Sequence, residues 1–253
     1  MRMYKAYKFR LYPSTEQKIL INKTLGCSRF VYNYYLNYQK VKGIQKSYSL
    51  CKNLKELEKE YEYLKEVDSC ALRCSIFDLE DGYKNFFAKR SNYPKFKSKF
   101  ARQSYRTSCI RSTYKGKEYS SIEIDLLTRF IKLPKLGKVK IRGYRNKDKI
   151  EGKIINATII RETTNKYYVS VLVEEDLPVE KVIPTSIVGI DLGLKDLVIT
   201  SDGIKYANEK IIMKYEKRLK RLQRKLSRQA KTSKNYLKTK EKIARIHAKI
   251  RNY

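Results

Sequence analysis

Apolar and polar positions change rhythm several times along this chain. Residues 3–11, MYKAYKFRL, alternate at period two, which predicts a strand with Tyr4, Ala6 and Lys8 on one face and Lys5, Tyr7 and Phe9 on the other. Its interleaved bases and aromatics suit a sheet edge facing a phosphate backbone. Pro13 ends the strand. Ser14 with Gln17 three positions on reads as a capping box, so a helix is predicted from Thr15 to Leu25, interrupted at Gly26. Cys27, Phe30, Val31, Tyr34, Tyr35 and Tyr38 then share one stripe of a second helix. Two short helices around a glycine resemble a helix-turn-helix, and a plain packing pair explains the same pattern.

Further on, Leu54, Leu57, Tyr61 and Leu64 repeat at helical spacing, and Leu72, Ile76, Leu79, Tyr83 and Phe86 do so again after Ser69, a candidate cap. Period two returns from about 107 to 177. A turn is predicted at 134–137, and a hairpin from Lys153–Arg161 through Thr164-Asn165 to Lys166–Glu174. Several short antiparallel strands predict a small barrel or sandwich that the N-terminal strand joins, leaving the helices as an insertion. Pro178 to Ser186 reads as a linker. At the end, Ile212, Tyr215, Leu219, Leu222 and Leu226, then Leu237, Ile243, Ile246 and Ile250, predict two long amphipathic helices. The fold class expected is therefore α+β.

Charge changes this picture most. The 253 residues carry 58 Lys+Arg against 26 Asp+Glu, a formal net charge of +32. Self-repulsion on that scale works against folding, so it points to a polyanion. Nucleic acid comes first, because each neutralised phosphate releases counterions; an anionic membrane or a merely charged surface are the alternatives. With 42 % hydrophobic residues, 22 Tyr and 8 Phe, the chain has the material for a core and is not a disordered tail.

The charge is unevenly placed. Residues 50–90 are nearly balanced. In 93–106, Lys95, Lys97, Lys99, Arg102 and Arg106 interleave with Tyr93, Phe96, Phe100 and Tyr105, the mixture that tracks a phosphate backbone while stacking on bases. Residues 209–253 hold 17 Lys+Arg and three Glu. The candidate nucleic-acid contacts are Lys5, Lys8, Arg10 and Arg29, the five hinge cations, and Arg218, Arg221, Arg224 and Arg228. His247, the single histidine, fits packing or a phosphate contact better than a ligand role. The five Cys form no CxxC pair, so no zinc site is expected and a reducing, cytoplasmic compartment is. No run approaches a membrane span.

One segment looks catalytic: SIVGIDLGLKDLVITSDGIKY at 186–206. Ile187, Val188 and Ile190 lead into Asp191, with Gly189 and Gly193 beside it. A carboxylate within a buried strand is costly unless paired, hydrogen-bonded or metal-bound. Three readings fit: the first strand of a ribonuclease-H-like fold, a nucleotide-binding strand of the sugar-kinase or actin type, or a turn aspartate capping a hairpin. Asp196 and Asp202 read as turn residues. Two-ion phosphodiester chemistry needs more than one carboxylate.

Several stretches resemble the TnpB family, the insertion-sequence proteins related to type V CRISPR nucleases. They are AYKFRLYPSTEQ, GCSRFVYNYYL, LKEVDSCALRCSIFDLEDGYKNFF, YPKFKSK, IKLPKLGKVKIRG, VGIDLGLKDLVITSDG and YEKRLKRLQRKLSRQAKTSKNYLKTKEKIARIHAKIRN, in order along the whole chain. The resemblance implies an RNA-guided DNA endonuclease with guide RNA and target DNA as partners and no membrane. It implies a wedge-like barrel from 1–12 and about 100–185, a helical recognition insertion over 13–99, and the N-terminal part of a RuvC-like nuclease domain over 186–253. Asp191 would be a Mg2+-binding catalytic carboxylate. The family pattern continues with a Glu motif, a four-Cys zinc insertion and an Asp motif that this sequence does not contain. The expectation is thus an incomplete catalytic set, inactive alone or completed by a second polypeptide, the alternative being a non-catalytic RNA/DNA-binding module or decayed remnant.

Overall fold

The computed structural model describes residues 2–114, 116–144, 149–176, 186–231 and 233–251. It divides into two units, Met1–Leu177 and Pro178–Tyr253. The predicted linker lies, apart from Ser186, outside the described residues.

The first unit opens with β1 (Arg2–Tyr12), followed by helices α1 (Thr15–Lys42), α2 (Ser47–Glu60) and α3 (Ser69–Phe87), a short 3-10 turn (Glu62–Glu66) lying before α3. Then come β2 (Gln103–Ser108), β3 (Arg111–Tyr114), β4 (Lys117–Ser120), β5 (Glu123–Asp125), β6 (Phe130–Leu133), β7 (Gly137–Arg142), β8 (Lys153–Arg161) and β9 (Tyr167–Asp176). Seven of these strands make one sheet in the order β2-β8-β9-β1-β7-β6-β5, while β3 and β4 pair separately. Every pairing is antiparallel. The outermost strands β2 and β5 do not meet, so the expected barrel is an open, curled half-barrel.

The predicted hairpin forms β8 and β9, turning at Asn165 with φ 57°. The N-terminal strand joins the sheet, as the alternation suggested, but not as an edge. It lies between β9 and β7, paired with β9 from Arg2–Asp176 to Leu11–Tyr167 and with β7 through Arg10, Leu11 and Tyr12. Tyr7, Phe9 and Leu11 enter the core, where they meet Val139, Ile141, Val169, Val171 and Val173. Ile21 and Leu25 of α1 and Ala71 of α3 cover the open side of the same cluster.

The helix break expected at Gly26 does not form. Residues 15–42 form one continuous helix through Gly26, started by the predicted Ser14–Gln17 capping box. A glycine costs a helix interior only about 1 kcal/mol, and packing on both sides outweighs that: Ile21 and Leu25 hold the sheet core, while Cys27, Val31, Tyr35 and Leu36 hold a second, all-helical core with Leu54, Leu57, Leu72, Ile76 and Leu79. The cap of α3 is also corrected by one residue. Asp68, not Ser69, accepts the Cys70 amide at 2.9 Å, and its second oxygen accepts the Thr107 hydroxyl at 2.6 Å, tying α3 to β2.

The second unit contains β10 (Ile190–Asp191), β11 (Asp196–Thr200), β12 (Lys205–Ala207), α4 (Ile211–Ser227) and α5 (Lys234–Arg251). The three strands form an antiparallel meander whose second turn is at Gly203, φ 81°. The helices pack along a seam that half-buries Tyr215, Leu219, Leu222 and Leu226 and buries Ile246. Ile212 and Leu237, expected on that stripe, are 68 % and 50 % exposed.

Candidate nucleic-acid interface

The outward face of the seven-stranded sheet collects cations over aromatic rings. Period two turns Lys8, Arg10 and Tyr12 away from the core that Tyr7, Phe9 and Leu11 enter. The register sets Arg10 opposite Tyr168 on one side and Arg142 on the other. Lys8 Nζ lies 4.8 Å from the centre of the Tyr168 ring, and the Arg10 guanidinium 5.0 Å from it. Arg10 Nη1 also donates to the Tyr168 hydroxyl at 3.2 Å. Tyr12 takes Arg10 at 5.5 Å and Arg142 at 5.8 Å. Cation–ring contacts hold these long side chains in place, so less freedom is lost when a phosphate arrives. Arg10 Nε is shielded and has no hydrogen-bond partner among the described residues. Lys5 sits apart, its ammonium 5.3 Å from the Tyr7 ring. Tyr168, Tyr12 and Arg142 were not singled out from the sequence. Alternation in YYVSVLVEED turns Tyr168 outward, but only the pairing of β1 with β9 puts it beside Arg10.

The basic hinge divides in two. Asn33 of α1 straps it down by accepting the Lys97 amide at 2.7 Å and donating to the Lys97 carbonyl at 3.0 Å. Lys97 Nζ sits 3.9 Å from the centre of the Tyr32 ring and 3.9 Å from Asp78. Burial pushes the Lys97 ammonium below the usual lysine range; Asp78 opposes that and Arg106 adds to it. Arg106 donates to Asp78 at 2.7 Å, and Arg29 to the Gln103 side chain at 2.9 Å. Lys95, Lys99 and Arg102 are exposed. Asp78, missed as a functional residue, is what pairs with Lys97 and Arg106.

In the second unit Arg218, Arg221, Arg224 and Arg228 are exposed along α4 and its C-cap, away from the half-buried seam. Asp191 stands on a two-residue strand, opposite Ile199, and is exposed. The expectation of a carboxylate within a buried strand therefore does not hold: Ile187, Val188 and Ile190 are exposed too. Gly193 has a local reason, since a Cβ there would lie 2.9 Å from the Asp196 carbonyl oxygen. Asp202 lies in the β11–β12 turn.

Two family profiles match, a helix-turn-helix domain at residues 1–42 and "Probable transposase" at 168–253. Over 100 % of its length the chain is 33 % identical to the "Putative RNA-guided DNA endonuclease InsQ" of Escherichia coli (strain K12), covering 61 % of that protein. The chain belongs to the TnpB/OrfB family. A second relative, the "Putative RNA-guided DNA endonuclease" of Streptomyces pristinaespiralis, is 34 % identical over 97 % of the chain and 60 % of its own length. This TnpB-family chain thus spans about 60 % of the length of these two relatives. Among solved structures, the Cas12f1-sgRNA-target DNA complex aligns over 98 % of this chain and 76 % of its own, with 13 % identity and a TM-score of 0.42.

The family's implied Mg2+ can be tested against the donors present. Among the described residues no three His, Cys, Asp or Glu side chains come together in a metal-holding group, at Asp191 or elsewhere. These residues do not fit a two-ion site. The thiols of all five cysteines are free. No helix among the described residues is long and apolar enough to cross a membrane.

Proposed function

We propose that this TnpB-family chain holds guide RNA and target DNA through their phosphates, as the nucleic-acid-binding part of an RNA-guided DNA endonuclease. The observation that carries this is the outward sheet face, where Lys8, Arg10 and Arg142 are held over Tyr12 and Tyr168. Such a surface offers charge to a backbone and rings to bases without a base-reading code, as expected where pairing with a guide reads sequence. Lys95, Lys99 and Arg102 at the hinge and the four arginines of α4 extend the contact, while Lys97, Arg106 and Arg29 shape the surface around it. In this reading residues 1–12 and about 100–185 form the wedge, 13–99 the recognition insertion and 186–253 the start of a RuvC-like domain. Asp191 would contribute one carboxylate to a Mg2+ site, which would supply electrostatic stabilisation at the scissile phosphate; the other donors would come from outside the described residues.

The test is titration of the full chain with single-stranded RNA and duplex DNA across salt. Lys8→Gln/Arg10→Gln should weaken binding and shallow the slope of log K against log salt by about 0.7 for each lost contact to single strands and about 0.9 for duplex. An unchanged slope for both would overturn the assignment of this face. A second reading, a binding module without catalysis, is favoured by the absence, among the described residues, of any group of three potential metal ligands. Mg2+-dependent nicking by the purified chain with its guide, lost in Asp191→Ala, would decide against it.

A further inference from the structure

A crevice between α1, α3, the hinge and β2 takes no part in the outward sheet face. Ser28, Arg29, Asp78, Lys97, Arg102 and Gln103 are among the residues lining it. Its enclosed space is about 20 Å3, room for one oxygen-sized atom. Three cations line it against a single carboxylate. That carboxylate, Asp78, is already taken by Arg106 at 2.7 Å and Lys97 at 3.9 Å.

Ser28 is the unexplained group. It is 5 % exposed, and its hydroxyl has no hydrogen-bond partner among the described residues. A buried serine within a helix ordinarily donates to the carbonyl four residues back. Thr24 does so to Leu20 at 2.8 Å and Ser75 to Ala71 at 3.0 Å. A buried hydroxyl left unpaired destabilises the fold, so one that persists beside three cations suits a ligand oxygen that completes it.

We infer that this crevice is a phosphodiester subsite: one non-bridging phosphate oxygen enters it and accepts the Ser28 hydroxyl, while Arg29, Lys97 and Arg102 neutralise the phosphate. The inference rests on the reading of the chain as nucleic-acid-binding. An incoming anion also favours the charged form of Lys97, which burial opposes. RNA and DNA offer the same phosphate chemistry, and the experiment separates them.

Full-length wild type, Ser28→Ala and Arg102→Gln are titrated with a single-stranded RNA and with a DNA duplex, alongside Lys8→Gln/Arg10→Gln. Ser28→Ala should keep or raise Tm, because it deletes an unpaired buried hydroxyl. It should nevertheless weaken binding to at least one of the two by about ten- to a hundredfold, the equivalent of one lost hydrogen bond to a charged group. Arg102, an exposed side chain, provides a variant that does not disturb the core; Arg102→Gln should shallow the salt slope for that same nucleic acid by somewhat under one unit. The polymer that shows both losses is the one seated in the crevice. If Ser28→Ala binds both as tightly as wild type while Lys8→Gln/Arg10→Gln does not, the crevice holds only water and this inference alone fails. If the wild type binds neither, the nucleic-acid reading fails with it.

Discussion

The two units of this chain use the same amino-acid types to different ends. In Met1–Leu177, apolar residues close on one another in two clusters: Phe9, Val169, Val171 and Ile21 are fully buried in one, Leu36, Leu72, Ile76 and Leu79 in the other. In Pro178–Tyr253 the strand residues Ile190 and Leu197 are 65 % and 53 % exposed, and Leu194 between the strands 89 %. The three-stranded meander has the pattern of a buried layer without a covering layer among the described residues, and small sheets depend on such a partner for stability. Charge follows the same division. Asp78 ion-pairs Lys97 and Arg106 in the first unit, whereas residues 209–253 set 17 bases against three Glu and leave the arginines of α4 to solvent. Periodicity, then, reports which face of an element is apolar and not whether that face is covered.

The largest test of this comparison is truncation of one large apolar residue in each unit. Phe9→Ala should cost about 3–5 kcal/mol in chemical denaturation, while Leu194→Ala should stay within about 0.5 kcal/mol. Similar losses at the two sites would mean that Leu194 is covered after all. A smaller effect, of opposite sign, is expected at Gly26. A Cβ there meets nothing within 4 Å, so Gly26→Ala should raise the stability of α1 by about 1 kcal/mol. A loss of stability instead would restore the turn that a helix-turn-helix requires.

The smallest effect concerns two glutamates. Glu80 accepts the Ser47 amide and pairs with Lys84, each at 3.0 Å. Its hydrogen bonds with Ser47 chiefly, and Lys84 beside it, hold the carboxyl below the usual glutamate range. A lowered folded pKa means stabilisation that is complete at neutral pH and lost as pH falls through that lowered value. Glu80→Gln should therefore flatten the acid side of the stability–pH curve. Glu216, held low by its hydrogen bond and ion pair with Lys220, lies fully exposed on α4, where solvent screens the pair. Glu216→Gln should leave that curve unchanged, and an equal flattening would erase the contrast between the units.

Much of the architecture was legible before any coordinates. The β8–β9 hairpin, the Ser14–Gln17 capping box, the stripe from Leu72 to Tyr83 and the return of β1 into the sheet all follow from short-range rules: side-chain period, turn-forming residues and caps. The candidate interface was half legible. Lys8 and Arg10 stood out by charge, but their neighbour Tyr168 is more than 150 residues away, and nothing local links them. Gly26 misled because a helix breaker acts through local propensity, whereas α1 is held by two cores at once.

By itself the sequence determined the family, the excess of positive charge and the element types, since each depends on residue identity or on spacing within a few positions. Tertiary structure alone decided three matters: that the barrel stays open, that Asp78 captures Lys97 and Arg106, and that Asp191 lies exposed. Each is a contact, or a missing contact, between segments far apart in the chain. Such contacts follow from pairing register and packing, which residue spacing along one element does not encode.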